Sequence, residues 1–277
     1  MGLRINTNVS SLSAQRALGM TKNNLDNNLR KLSSGERITR ASDDAAGLAI
    51  SEKLKANIRG VRQAKRNSDD GISLIQTAEG GLNEISNIII RLRELAVQSS
   101  SDTVGDTERG FSNIEFQELL NEIQRISQGS EFNGRKLLDG TGGLVEIQVG
   151  IHNDPINDRI KYDSTVTDAT LNSLGLIGET IGNKEGAQLS LKKLDDALVR
   201  VNGTRANLGA LQNRLQSASN TLAITDENFS AANSRIRDVD IAAETADQAK
   251  NNILSQAGVS VLAQANQSPN FALKLIG

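Results

Sequence analysis

The sequence contains no cysteine and very few aromatic residues or prolines. The absence of cysteine excludes disulfides and thiolate metal sites. Five Phe, one Tyr and no Trp amount to 2% of the chain, which is too little for a thick globular core. Only Pro155 and Pro269 interrupt the chain, so long segments are free to form helices. The apolar residues, mostly Leu, Ile, Val and Ala, suit narrow seams between such helices.

Long apolar runs are also missing. No stretch of about 18 apolar residues is present, so no transmembrane helix and no membrane partner is expected. Polar Asn and Ser residues follow Met1-Gly2-Leu3-Arg4, where a signal peptide has an apolar segment. If the protein leaves the cell, we expect a route that reads no cleaved signal. The lack of cysteine suits a protein that crosses a membrane unfolded, although many cytosolic proteins also lack cysteine.

Charge is small in total but unevenly placed. The net charge is −2, yet residues 1–66 carry 13 Lys and Arg against five Asp and Glu, and the remainder carries 18 against 28. The basic residues are spread through an amphipathic pattern without aromatic stacking partners. We therefore interpret them as a solvated face, or as a face that meets the acidic remainder, and expect no nucleic-acid partner.

Two long amphipathic stretches dominate the sequence. The first runs from Ala41 to Gln98, where apolar residues recur at the helical spacing of three and four. If it is continuous, this helix of about 58 residues would reach about 87 Å at about 1.5 Å per residue. The second begins near Gln188 and keeps the same rhythm to Val239. We expect the two to cover each other, with a rod core formed by Leu54, Ile58, Ile72, Ile75, Leu82, Ile89, Leu208, Leu211, Leu215, Leu222 and Phe229.

The two ends of the chain carry weaker helical patterns. Residues Leu3 to Leu32 predict a helix that stops at Gly35, and Asp240 to Gly277 predict another. Asn residues lower the helix propensity of the first, and Ser42 or Asp43 is expected to cap the long helix that follows. The apolar stripes of the two ends comprise Ile5, Val9, Leu12, Leu25, Leu29, Leu32, Ile253, Leu254, Val261, Leu262, Leu273 and Leu275.

The middle of the chain predicts one short helix and one hairpin. Phe111 to Gln128 has an apolar face and is expected to fold back on the first long helix. Apolar and polar residues alternate around Ile147 and again around Ile160, which predicts a β-hairpin over roughly 144–163. Residues 164–186 receive no assignment. The predicted fold class is mainly α: a long antiparallel helical bundle or coiled coil formed by the N- and C-terminal halves, with a small β-hairpin in the middle.

No arrangement of residues predicts catalysis, and neither a metal nor a cofactor is expected. His152 is the only histidine and lies in a turn-like sequence without metal-ligand spacing. Gly140-Thr141-Gly142-Gly143 lacks the Lys-Ser/Thr of a phosphate loop and leads into a strand. Asp43-Asp44 and Asp69-Asp70 are adjacent on helices and therefore face different directions. The sequence predicts that the protein is not an enzyme.

Assembly is the function class that remains. Weak amphipathic ends attached to a strong helical hairpin cannot easily bury their own stripes in a monomer, and such segments order when a partner supplies the missing surface. If the partner is another copy of the chain, a heterologous contact that does not close produces a helical filament.

Several motifs resemble those of bacterial flagellins. They are Ile5-Asn6-Thr7-Asn8, Leu32-Ser33-Ser34-Gly35, residues 43–50 (DDAAGLAI), residues 67–79 (NSDDGISLIQTAE), residues 93–98 (RELAVQ), residues 131–134 (EFNG), residues 234–240 (SRIRDVD), residues 252–257 (NILSQA) and residues 262–266 (LAQAN). The resemblance is collinear and covers roughly 1–140 and 187–277. One departure is Glu36, where the family more often has an apolar residue, and it leaves the packing of this connector open.

The resemblance implies a subunit of the flagellar filament, which serves swimming motility. The chain would be a short form of the family that lacks large outer domains. Residues 1–41 and 240–277 would form an inner, tube-lining layer that is disordered before assembly, and residues 42–239 an outer rod with the hairpin. It also implies export of the unfolded chain through the flagellar channel. The protein would then be secreted into an extracellular filament, or into a periplasmic one if the source is a spirochaete.

The resemblance also implies partners. The first partner is the chain itself, which would form a helical homopolymer. The others are an export chaperone, which would bind the C-terminal segment, and hook-junction and cap proteins. In some members a vertebrate Toll-like flagellin receptor reads a surface that corresponds by motif to Arg91, Leu95 and Glu115, for which a purely structural role is equally open. A flagellar hook-filament junction protein is the alternative interpretation of the whole chain.

Overall fold

The structure, a computed structural model, describes residues 7–276, with side chains described for residues 7–267. It is 73% helical, which confirms the mainly-α fold class. In chain order, the elements of the described residues are α1 (Val9–Ser34), α2 (Ala45–Ser99), α3 (Asp106–Gly129), β1 (Glu131–Phe132), β2 (Arg135–Lys136), β3 (Leu144–Gln148), β4 (Arg159–Asp163), α4 (Leu171–Leu174), α5 (Lys184–Arg237) and α6 (Ile241–Ile276).

The chain forms two compact units. We call residues 1–57 with 228–277 the terminal unit, and residues 58–227 the central unit. Their boundaries fall inside α2 and α5, whereas the resemblance implies a division before residue 42 and after residue 239. The difference arises because the first turns of α2 bind the last turns of α5. Ser51 Oγ donates to Asn233 Oδ1 at 2.8 Å, and Arg237 Nη1 donates to Glu52 Oε1 at 2.5 Å.

Hydrogen bonds explain where α1 ends and where α2 begins. As predicted, α1 stops at Gly35, which has a left-handed φ of 71° and donates its N–H to Lys31 O. The cap of α2 is Asp44, whose Oδ1 accepts from Gly47 N at 2.8 Å, and neither Ser42 nor Asp43. The Asp43 carboxylate instead accepts from Arg40 N, Thr39 Oγ1 and Thr39 N in the preceding connector. These hydrogen bonds, led by the one from Arg40, lower the pKa of Asp43.

The two later long helices start earlier than the apolar pattern indicates. Helix α3 begins at Asp106, and α5 begins at Lys184 because Asn183 caps it. Asn183 Oδ1 accepts from Gly186 N at 2.7 Å. The unassigned segment before α5 contains the short helix α4 and places Leu176 in the core with no exposed surface.

The predicted hairpin over 144–163 is confirmed. Strands β3 and β4 pair antiparallel, with Ile147 opposite Ile160 and Val145 opposite Tyr162. A second hairpin, β1 with β2, has two residues per strand and was not predicted. Its turn is Asn133-Gly134, with φ of 49° and 76°, and this dipeptide is a strong signal for a two-residue hairpin turn.

In the central unit, α2 and α5 lie antiparallel in a single register. Asp226 pairs with Arg62 at 3.0 Å, Ser219 Oγ donates to Asp69 Oδ1 at 3.0 Å, and Asp195 pairs with Arg93 at 2.7 Å. Along the three pairs, residue numbers rise on α2 and fall on α5 by equal steps. Polar groups at the rim therefore hold the register of an apolar seam.

The rod-core side chains predicted from the sequence lie mostly in this seam. Ile58, Ile75, Leu82, Ile89, Leu208, Leu215 and Leu222 are buried. Ile72 and Leu211 are half-buried and pack against the core. Leu54 and Phe229 are also half-buried, but they belong to the terminal unit.

Gly80 and Gly81 are adjacent on α2, but Ala at the two positions is expected to change stability in opposite directions. A Cβ on Gly80 meets no atom within 4 Å, whereas one on Gly81 lies 2.7 Å from Leu138 Cδ1 and 2.8 Å from Ser130 Oγ. We expect Gly80→Ala to stabilise the central unit by about 1 kcal/mol through helix propensity. We expect Gly81→Ala to destabilise it by about 1–2 kcal/mol because buried Leu138 must move. Urea unfolding of both variants checks this, and equal stabilisation by both would contradict the packing at Gly81.

Tyr162 gives a second prediction because the chain has one Tyr and no Trp. Its Oη donates to Leu137 O at 2.8 Å and lies 2.9 Å from Thr167 Oγ1. Burial raises the pKa of Tyr162, and the hydrogen bond with Thr167 offsets only part of that rise. The neutral form is favoured in the folded state, so the stability it contributes is lost as the pH rises through the raised pKa.

A titration of tyrosinate absorbance, with helicity followed by circular dichroism, measures this directly. We expect a midpoint above the ordinary value of about 10. Tyr162→Phe supplies the background signal. Ionisation near 10 with unchanged helicity would mean that the hydroxyl is not buried as described.

Candidate assembly surface

Helices α1 and α6 pair antiparallel in the terminal unit. The shielded side chains along the pair follow a heptad spacing of three and four on both helices. On α1 they are Ser11, Ala14, Leu18, Thr21, Leu25, Asn28 and Leu32, and on α6 they are Glu244, Gln248, Asn251, Ser255, Gly258, Leu262 and Ala265. We call these fourteen residues the terminal seam.

The terminal seam is unusually polar for a coiled coil. Its most buried members on α1 are Ser11 and Asn28, which are 8% and 7% exposed. Ser11 Oγ donates to Asn266 Oδ1 at 2.7 Å, and Asn8 Nδ2 donates to Ala265 O at 2.8 Å. Leu18 meets α6 where Gly258 leaves room for it. Eight of the fourteen seam residues are therefore polar or Gly, and the apolar ones are four Leu and two Ala.

Large apolar side chains of the same two helices point outward instead. Among the residues predicted for assembly, six are exposed by between 46% and 66%: Val9, Leu12, Leu29, Ile253, Leu254 and Val261. Met20 and Val259, which were not among the predicted residues, are exposed to a similar degree. We call these eight residues the outward apolar face. Exposed apolar side chains that cluster mark sites of contact with another molecule, and these eight are the candidates on α1 and α6.

The remaining predicted assembly residues lie elsewhere. Leu25, Leu32 and Leu262 are half-buried in the terminal seam. Ile5 and the side chains of Leu273 and Leu275 lie outside the described residues.

The connectors that follow α1 and α5 pair with each other in the terminal unit. Glu36 forms an antiparallel bridge with Asp238, and Val239 N donates to Gly35 O at 3.0 Å. The Glu36 carboxylate lies 2.8 Å from Arg237 Nε and accepts from Arg237 Nη2 at 3.1 Å. The acidic residue at position 36 thus gains a basic partner at the C-terminal end of α5, and this contact defines how the connector after α1 packs.

Arg91 and Glu115 meet on the surface of the central unit. Arg91 Nε donates to Glu115 Oε1 at 2.9 Å, and Arg91 Nη1 donates to Glu94 Oε2 at 3.0 Å. These hydrogen bonds, led by the one with Glu115, raise the pKa of Arg91. Leu95 does not join this surface. It is 3% exposed and belongs to the core, because the inner stripe of α2 faces α3 and α5.

Among the described residues, neither a metal site nor a membrane-spanning helix is present. In that part of the chain, no three His, Cys, Asp or Glu side chains converge as a metal site would require. Within the same residues, the helices fall short of the length and hydropathy needed to cross a bilayer.

Long paired helices, a polar seam and an outward apolar face define a structural protein that associates with further subunits. The comparisons with known proteins specify the family. The model of the bacterial flagellin N-terminal helical region matches residues 5–142, and that of the C-terminal helical region matches residues 191–276. The chain belongs to the bacterial flagellin family, whose members are structural filament proteins and not enzymes.

Individual relatives match over nearly their whole length. A flagellin of Halalkalibacterium halodurans is 47% identical over 272 residues, covering 98% of this chain and 99% of the relative. The flagellar filament 30.7 kDa core protein of Treponema maltophilum is 41% identical, again covering 98% and 99%. The crystal structure of Bacillus cereus flagellin superposes with a TM-score of 0.51 at 31% identity, covering 57% of this chain and 88% of that one.

Proposed function

We propose that this flagellin is the structural subunit of a flagellar filament, and that neighbouring subunits cover its outward apolar face. Family membership supports the filament role, and with it a role in motility. The hook-filament junction alternative is not favoured, because the full-length relatives are flagellins and filament core proteins.

The observation that carries the proposal is the mixed polarity of the seam between α1 and α6. In a self-sufficient pair of helices the apolar residues would lie in the seam. Here Ser11 and Asn28 share the seam with half-buried Leu residues, whereas residues such as Leu12 and Val261 face away from it. A further subunit that covers this face supplies the hydrophobic burial that the pair itself lacks.

The proposal also assigns a separate role to the ends and to the middle of the chain. Residues 1–41 and 240–277 form the inner, tube-lining layer, and residues 42–239 form the outer rod. A pair of helices with a polar seam and an Asn-rich α1 gains little from pairing alone. This supports ordering of the two ends only on assembly and export of the chain in an unfolded form.

Partners and location are also proposed. An export chaperone binds the C-terminal segment, and hook-junction and cap proteins contact the ends of the filament. Arg91 and Glu115 are the exposed candidates for contact with the Toll-like flagellin receptor, without Leu95. The filament is extracellular, and a periplasmic filament is the alternative because filament core proteins of Treponema are among the relatives.

Electron microscopy of purified protein under polymerising conditions tests the filament function. The full chain is compared with a truncated chain of residues 42–239. We expect filaments from the full chain and soluble monomers from the truncated one. Filaments from both would show that the rod polymerises alone, and monomers from both, even after seeding, would contradict the filament role.

A further inference from the structure

The apolar residues of the terminal seam cannot define how far α1 slides along α6. Leu18, Leu25 and Leu32 are spaced by seven residues, so a slip of one heptad places each Leu where the next one was. Apolar contacts alone therefore allow several axial alignments of the same two helices. The bridge between Glu36 and Asp238 joins the two helices at one end. Along the rest of their length, only side chains that do not repeat with this period can hold one alignment.

Two polar anchors on α1 meet that requirement. At one end, Ser11 Oγ donates to Asn266 Oδ1 at 2.7 Å. At the other end, Asn28 accepts from Asn251 Nδ2 at 3.3 Å and from Gln248 N at 3.1 Å, in the amide orientation that satisfies both of its ends. In the same orientation Asn28 donates to Glu244 Oε1 at 3.2 Å.

Charge reinforces the second anchor. Lys31 Nζ lies 3.6 Å from Glu244 Oε2, and the Glu244 side chain is 13% exposed. Glu244 therefore holds Asn28 and Lys31 at once, one helical turn apart on α1. A slip of one heptad in either direction moves Asn28 and Lys31 by about 10 Å along the axis relative to Glu244, so the hydrogen bond and the ion pair with Glu244 are both lost.

We infer that Ser11 and Asn28 are positioning residues that fix the axial register between α1 and α6 in the assembled subunit. Buried polar residues at single heptad positions specify register in coiled coils at some loss of stability. The register determines which outward residues of α1 and α6 lie side by side, and so the shape of the surface offered to the neighbouring subunit. The contacts that set the register lie within one chain. Only the effect on the surface offered to the neighbouring subunit rests on the proposed filament function.

The absence of cysteine allows a direct test by disulfide formation. A Cβ added at Gly258 would lie 3.9 Å from Leu18 Cβ, which is within the range of a disulfide. Leu18→Cys with Gly258→Cys therefore reports the native register. Leu18→Cys with Ala265→Cys reports a slip of one heptad, because in the native register these positions are separated by about 10 Å along the helix axis, beyond disulfide reach.

Both reporter pairs are introduced into the full chain with and without Ser11→Ala and Asn28→Leu. After polymerisation and oxidation, intrachain disulfides are quantified by mass in the filament fraction and the soluble fraction. Without the anchor substitutions, we expect the native reporter to cross-link at least tenfold more than the slipped reporter. With them, we expect the slipped cross-link to rise at least tenfold. Ser10→Ala with Asn24→Leu, exposed neighbours outside the seam, is the matched control and is expected to change neither yield.

The outcomes separate the inference from the proposed function. A slipped cross-link that stays at background in the anchor variant overturns the inference. So does an equal fall of both cross-links, since that result indicates a role in helix stability alone. Failure of the unsubstituted chain to form filaments counts against the proposed function, whereas filaments in which the anchor substitutions leave the cross-link ratio unchanged count against the register inference alone.

Discussion

Replacing Leu12, Leu29, Leu254 and Val261 together with Gln is expected to raise the critical concentration for polymerisation about a thousandfold. Each of these side chains is between 46% and 57% exposed in the single chain, so a neighbouring subunit can still bury about half of it. Completing that burial is worth about 1 kcal/mol per side chain, or about 4 kcal/mol for four. Each 1.4 kcal/mol is a factor of ten in an association constant.

The control for this quadruple variant uses apolar residues that are just as exposed but lie in the central unit. Ile156 is 83% exposed and Val199 is 72% exposed. Gln is a good helix former, so helix propensity on α1 and α6 is little changed. Sedimentation of filaments at graded protein concentrations measures the critical concentration. If Ile156→Gln with Val199→Gln impairs assembly as much as the quadruple variant does, the outward apolar face is not the principal contact.

Phe116→Ala is expected to lower the free energy of unfolding of the central unit by about 3–5 kcal/mol, which is typical of a fully buried Phe. Phe116 has no exposed surface and lies in the core, where α3 covers α2. Phe111, five residues earlier on the same helix, is 68% exposed. We expect Phe111→Ala to change the free energy by less than about 0.5 kcal/mol, as surface substitutions usually do.

Urea unfolding followed by Tyr162 fluorescence isolates this effect, because the only tyrosine lies in the central unit. The midpoint should fall while the dependence on urea stays constant, which indicates a change in stability and not in the surface exposed. Equal effects of Phe116→Ala and Phe111→Ala would contradict the placement of α3.

The elements with strong periodicity could be predicted from the sequence. On α2, Ile75, Leu82 and Ile89 recur every seven residues and are all fully buried, so the pattern and the packing agree. The hairpin could also be predicted, because the alternation of apolar and polar residues around Ile147 and Ile160 matches the two faces of a strand pair. In these places local propensity and tertiary burial favour the same structure.

The apolar residues of the terminal seam, such as Leu25 and Leu32, could be predicted, but its polar residues could not. Ser11, Thr21 and Asn28 occupy heptad positions, but a search for apolar spacing passes over them and selects outward residues such as Leu12 and Leu29. The same limitation affected Leu95, since a motif gives no direction for a side chain. The cap of α2 required the actual hydrogen bonds, because Ser42, Asp43 and Asp44 are equally suited by type.

The central claim is that neighbouring subunits cover the outward apolar face of α1 and α6. Thiol labelling of Val261→Cys tests it most directly, since the chain has no other cysteine and Val261 is 57% exposed in the single chain. Ile156→Cys serves as the reference position. We predict that polymerisation slows labelling at position 261 at least a hundredfold more than at position 156. Labelling of Val261→Cys at the same rate in filaments and soluble subunits would contradict the account.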